Sequence, residues 1–197
     1  MNVFVKICGV SDEAGLAAAV EAGADAVGFV FHAASPRNLA PGRAAALAAR
    51  LPGGVLAVAV TCHPSQGDVD RVLEAFHPDA WQSDAPDFDA IRLPPTVRRL
   101  PVLRGPAAQA PAGGRVLFDA PESGRGARAD WHAASELARR TQLILGGGLD
   151  AANVAAAMAA VRPFGVDVSS GVESAPGLKD PARIRAFVSA ARAGVLA

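Results

Sequence analysis

Apolar runs that alternate with helix-like segments recur along nearly the whole chain, and this alternation restricts the fold more than any other feature. The strand candidates are "NVFVKIC" (2–8), "DAVGFVF" (25–31), "VLAVAV" (55–60), "DAWQ" (79–82), "VRRLPVLRG" (97–105), "RVLFDA" (115–120), "QLILGGG" (142–148) and "FGVDVSSG" (164–171). Helical patterns follow most of them, at 11–23, 41–53, 68–76, 130–140, 150–161 and 180–194. Ser11 or Asp12 can cap the first helix and Gly23 can end it, while Asp180 and Pro181 suit the N-cap and N1 positions of the last. Strands that are apolar throughout are buried on both faces, as in a parallel sheet covered by helices. Eight such units in 197 residues predict an α/β fold, a single-domain (β/α)8 TIM barrel over residues 1–197. One helix, near 106–114, is short or missing. An open doubly wound sheet is the alternative.

Charge and cysteine usage narrow the setting. Nineteen Lys and Arg balance nineteen Asp and Glu, so there is no long-range positive field of the kind that holds nucleic acid or an anionic membrane. A small, locally bound substrate is the expected partner, with the protein a monomer or homodimer. Two cysteines are too few for a disulfide framework and point to a reducing compartment. The long apolar segments all carry charges or Pro and Gly breaks, and "MNVFVKICGV" lacks a cleavage signature. A cytoplasmic location is expected.

Reactive groups of a barrel enzyme sit where strands end, on the C-terminal rim. Cys8 ends the first strand candidate, Arg37 follows the second in "SPR", and Asp119 ends "RVLFD". Gly146, Gly147 and Gly148 follow the seventh, and Ser169, Ser170 and Gly171 the eighth. Glycines let a backbone approach a ligand without Cβ obstruction, and the loops after strands 7 and 8 are the common phosphate cradle of this fold. Each loop alone also reads as a tight turn, and the two together favour a phosphate monoester. Cys8 alone reads as a small buried hydrophobe, and Asp119 alone as a turn or cap residue. As a pair across the barrel mouth they can serve as base and acid, provided the thiol pKa is lowered and the carboxyl pKa raised. Lys6 is expected to point away from Cys8 if the strand alternates.

"VKICGV", "GADAVGFVF", "SPR", "FDA", "LGGGL" with "NV", and "GVDVSSGVESAPGLKD" together resemble the phosphoribosylanthranilate isomerase family of tryptophan biosynthesis. The resemblance spans both ends of the chain. It implies Cys8 as general base, Asp119 as general acid, and Arg37 against the anthranilate carboxylate, a role suited to a planar guanidinium fork. It also implies that Gly147, Gly148, Ser169, Ser170 and Gly171 hold the phosphate. The implied reaction is an Amadori rearrangement of a phosphorylated aminoaldose to the aminoketose, with no metal or organic cofactor.

The middle of the chain departs from that family's pattern. "WQSDA" (81–85) stands where relatives carry "QLHG", so Asp84 lies near the place of the usual His. "VAVTCHP" (58–64) brings in Cys62 and His63, and the Gly-Thr-Gly loop is reduced to "GRG" (124–126). Cys62 and His63 without a third ligand do not make a zinc site, so no metal is expected. Trp81, Trp131 and His132 read as packing or surface residues, and Lys179 has no assigned role. Two other functions remain at this point: the related histidine-pathway aminoaldose isomerase, and an inactive phosphate-binding barrel.

Overall fold

A computed structural model describes residues 3–104, 114–121 and 126–194. Eight parallel strands close a barrel in sequence order: β1 (Phe4–Cys8), β2 (Ala26–Val30), β3 (Leu56–Val60), β4 (Ala80–Asp84), β5 (Arg98–Leu103), β6 (Arg115–Phe118), β7 (Gln142–Leu145) and β8 (Gly165–Val168). β1 pairs with both β2 and β8, which leaves the barrel without an edge strand. The barrel replaces the open-sheet alternative. The helix expected to be short or missing near 106–114 lies outside the described residues, apart from Gly114.

Seven helices among the described residues cover the barrel: α1 (Glu13–Glu21), α2 (Pro41–Ala48), α3 (Gln66–Ala75), α4 (Asp87–Ala90), α5 (Trp131–Ala138), α6 (Val154–Val161) and α7 (Pro181–Ala193). Their starts are set locally. Asp12 rather than Ser11 caps α1, with its Oδ1 accepting from the Gly15 N–H at 2.7 Å. Asp130 and Asp180 cap α5 and α7 in the same way, and Ser65 with Asp68 forms a reciprocal capping box on α3. Beyond β8 the chain makes a 3-10 turn (Ser170–Val172) and an antiparallel hairpin of β9 (Glu173–Ala175) and β10 (Leu178–Lys179). Neither α4 nor this hairpin was expected from the sequence.

The strands alternate between two apolar regions. Ala26, Val58, Ala80, Leu100, Val102, Leu117 and Ile144 fill the barrel interior. Val5, Ile7, Val27, Phe29, Trp81 and Phe118 face the helices in the larger outer core. Trp81 is fully buried and its Nε1–H donates to Thr61 Oγ1 at 2.8 Å, so it is a packing residue as expected. The interior layer ends upward in polar side chains. Cys8, Gln82, Asp84, Arg104, Asp119 and Asp167 line a cavity of about 910 Å³ at the C-terminal rim.

Candidate active site

β1 carries Cys8 to this rim, and two glycines make room for it. Gly9 takes a φ of +73°, and the N–H groups of Gly9 and Val10 both donate to the Gly28 carbonyl, at 2.9 and 3.1 Å. The chain therefore turns away directly after the thiol. A Cβ on Gly28, the residue paired with Cys8 across the strands, would lie 3.0 Å from Cys8 Sγ. A Cβ on Gly9 would lie 2.4 Å from Arg37 Cδ.

Lys6 corrects a sequence expectation. A strand repeats every two residues, so Lys6 and Cys8 share the inward face rather than opposing one another. Lys6 is 0 % exposed and its Nζ donates to Asp167 Oδ1 at 2.8 Å. Burial alone would discharge this amine, but the Asp167 carboxylate, helped by Cys8, outweighs it and holds the Lys6 pKa above its ordinary value. Burial pushes the Cys8 thiol up; Lys6 and, more weakly, Lys179 oppose that shift while Asp167 adds to it. The resting site thus holds a thiol with a cation beside it. The lowered thiol pKa anticipated from the sequence is not what this environment gives, because desolvation exceeds the attraction of Lys6.

Arg37 lines the cavity and is 8 % exposed. Its Nε and Nη2 donate to the two carboxylate oxygens of Glu173, each at 2.7 Å. That edge of the fork is therefore engaged by the protein's own carboxylate. Glu173 also accepts from Lys179 Nζ at 2.6 Å and from the Gly177 N–H at 3.2 Å. Burial would raise the Glu173 pKa, but the hydrogen bonds from Arg37 and Lys179 pull it below the ordinary range. Lys179 Nζ reaches the Ser169 carbonyl at 3.1 Å, which ties this ion cluster to the serine loop. Sequence reasoning missed Asp167, Glu173 and Lys179 as site residues. Asp167 was signalled by a charge inside an otherwise apolar strand and Glu173 by a charge two residues after the Ser-Ser-Gly turn, whereas Lys179 carried no such local signal.

Asp119 follows β6 directly, its backbone N–H donating to the Leu103 carbonyl at 3.1 Å. Its Oδ1 accepts from the Ala120 N–H at 2.8 Å, and its Oδ2 lies 3.7 Å from Arg104 Nη1. Arg104 also donates to Asp84 Oδ1 at 2.7 Å through Nη2. Gln82, one inward step below Asp84 on β4, is buried, and its Oε1 has no hydrogen-bond partner among the described residues. A buried amide oxygen of this kind calls for a donor, and sequence reasoning passed over it.

The structure brings Cys8, Asp119, Arg37, Ser169 and Ser170 onto one cavity. Gly147, Gly148 and Gly171 are not among its lining residues. Gly147 and Gly148 take φ values of +81° and +63°. A Cβ on Gly147 would lie 2.9 Å from the Ala120 nitrogen, and one on Gly148 2.7 Å from the Gly126 carbonyl oxygen. A Cβ on Gly171 would lie 2.0 Å from the Leu149 carbonyl oxygen. The glycines are required by the close approach of the loops after β6, β7 and β8, and the two phosphate-loop candidates do adjoin. Asn153 braces the same turn, with Nδ2 donating to the Gly148 carbonyl at 2.9 Å.

A closed (β/α)8 barrel that places a thiol beside a cation, with a carboxylate, a buried arginine and a serine loop around one rim cavity, defines a TIM-barrel enzyme. The chain belongs to the N-(5'-phosphoribosyl)anthranilate (PRA) isomerase family, whose model matches residues 5–190. It is 41 % identical over 216 residues to the N-(5'-phosphoribosyl)anthranilate isomerase of Bradyrhizobium diazoefficiens, covering 98 % of this chain and 95 % of that one. The phosphoribosyl anthranilate isomerase structure from Thermus thermophilus superposes with a TM-score of 0.82 at 29 % identity, over 99 % of this chain and 100 % of the other. A phosphoribosyl anthranilate isomerase in complex with reduced 1-(o-carboxyphenylamino)-1-deoxyribulose 5-phosphate matches with a TM-score of 0.78 at 29 % identity, over 97 % and 99 % of the two chains.

Proposed function

We propose that this chain isomerises N-(5-phosphoribosyl)anthranilate to 1-(2-carboxyphenylamino)-1-deoxyribulose 5-phosphate in tryptophan biosynthesis, with Cys8 as general base and Asp119 as general acid. The observation that carries the reading is the convergence of Cys8, Asp119, Arg37 and the Ser169–Ser170 loop on a single cavity at the catalytic rim. Asp119, protonated, gives its proton to the ribose ring oxygen as the furanose opens to a Schiff base. Cys8, as thiolate, takes the C2′ proton, and the enolamine tautomerises to the ketone. The cation of Lys6 favours the thiolate at the moment it is needed, although burial disfavours it at rest. Arg37, held by Glu173, receives the anthranilate carboxylate, and the serine and glycine loops receive the phosphate. The product-analogue complex of the related isomerase supports a ligand of this size and charge at the site.

The test is direct. Purified protein mixed with phosphoribosylanthranilate should abolish the anthranilate-type fluorescence, and a flat trace would leave a binding barrel without activity. Cys8→Ser should keep the fold and lose at least about a hundredfold in kcat, because an alcohol is a far poorer base than a thiol at neutral pH. Asp119→Asn should lose most activity with an unchanged circular dichroism spectrum. Wild-type turnover in either variant would overturn that residue's role.

A further inference from the structure

We propose that Cys62, His63 and Asp84 form a binding site for a zinc-class divalent cation on the wall of the rim cavity. The loop after β3 supplies the thiol and the imidazole, and the last residue of β4 supplies the carboxylate. Their candidate donor atoms all lie within 4.8 Å of one another. Sequence reasoning found only the first two, because Asp84 is brought to them by the β3–β4 pairing rather than by proximity in the chain.

The geometry around the three donors is that of a supported site. Tetrahedral bonds of about 2.0 Å to nitrogen or oxygen and about 2.3 Å to sulfur place donors roughly 3.3–3.7 Å apart. His63 Nε2 and Asp84 Oδ2 are already 3.6 Å apart, and His63, 71 % exposed at its side chain, is free of packing that would block a small rotation. His63 Nδ1 bonds Asp87 Oδ1 at 2.9 Å. A carboxylate on one ring nitrogen fixes the tautomer so that the other nitrogen carries the lone pair, the usual outer support of a metal-bound imidazole. Asp87 is itself held, accepting from Ser83 Oγ and from the His63 N–H. Arg104 binds Asp84 through Oδ1 alone, which leaves Oδ2 turned toward His63. His63 adopts φ +48°, an uncommon conformation for a residue other than glycine.

The donor set selects the ion. One thiolate, one imidazole and one carboxylate suit zinc or cobalt rather than magnesium or calcium, which take oxygen ligands. Asp84 and Asp87 outnumber Arg104 beside the donors, leaving negative charge for a divalent cation to neutralise. On binding, the Cys62 S–H proton passes to solvent as the sulfur–metal bond forms, and the ion gives up hydration waters. All three residues line the cavity that holds Cys8 and Asp119, so an ion held by them lies on its wall.

Cobalt titration of the reduced full-length protein tests the site, because thiolate-to-cobalt charge transfer absorbs in the near ultraviolet and reports sulfur ligation directly. Wild type and Cys8→Ser should both give the band, saturating at one ion per chain, and added zinc should bleach it. Cys62→Ser should abolish it. His63→Gln and Asp84→Asn should weaken cobalt at least tenfold, and Asp87→Asn by about 10–100-fold through the lost outer support. The proposal is overturned by a missing band in wild type, by its survival in Cys62→Ser, by zinc failing to displace cobalt, or by unchanged affinity in both His63→Gln and Asp84→Asn. The readout is independent of turnover, so it stands or falls apart from the isomerase assignment.

Discussion

Cys8 is acidified or deacidified by groups that come from opposite ends of the chain. Lys6 lowers its pKa and Asp167 raises it, against a larger upward push from burial. Asp167→Asn removes the anion and should make Cys8 more acidic, while Lys6→Met removes the cation and should make it less so. The measurement is the pH dependence of Cys8 alkylation in a Cys62→Ser background, with the curve expected to move down for the first variant and up for the second. Lys6→Met also leaves Asp167 buried without its partner. Breaking a buried ion pair on one side costs about 3–5 kcal/mol, so its denaturation midpoint should fall well below that of wild type. Retention of the wild-type midpoint would show that Asp167 finds another partner.

At the scale of elements, the loops after β6, β7 and β8 are packed against one another through glycine. Gly148→Ala must place a Cβ at positive φ and 2.7 Å from the Gly126 carbonyl oxygen. A cost of about 1–3 kcal/mol is expected from the backbone strain alone. Gly42→Ala, in the first turn of α2 with nothing within 4 Å of the added carbon, should instead stabilise by about 0.4–1 kcal/mol. Thermal melts of the two variants should move in opposite directions. The elements that were legible from sequence are those with local causes: Asp12, Asp130 and Asp180 are adjacent to the helices they cap, and the apolar strands announce their own burial. The β9–β10 hairpin was not legible, because Glu173 and Lys179 are ordered there by Arg37, which stands 136 positions from Glu173. Four-residue α4 is too short to carry a helical period. Of the site, Cys8, Asp119 and Arg37 could be read from strand ends, whereas the ion pairs beneath and beside them depend on which strands become neighbours.

The whole molecule joins its two ends through charge. Arg37 after β2, Lys179 on β10 and Glu173 on β9 form one buried cluster, and the lowered Glu173 pKa makes that cluster pH-dependent. The unfolded glutamate titrates near about 4.3, so the stabilising contribution is fully present above that value. It is lost as pH falls through the lower folded value, when the carboxylate is protonated and two buried cations lose their counter-ion. Urea midpoints measured from pH 6 to pH 3 should therefore fall more steeply for wild type than for Glu173→Gln, which has no carboxylate to titrate. Parallel slopes would remove Glu173 from the acid sensitivity of the fold.

The pairing of β1 with β8 gives the molecule a seam, and the seam has a history. On the ribosome Lys6 is made 161 positions before its partner Asp167. Over that stretch of synthesis β1 carries an amine whose acceptor in the finished interior does not yet exist. Staying hydrated until then, the charge discourages β1 from settling early against a wrong neighbour. The thiol of Cys8 thus acquires its electrostatic setting in the same event that completes the barrel, and a chain stopped short of β8 has neither.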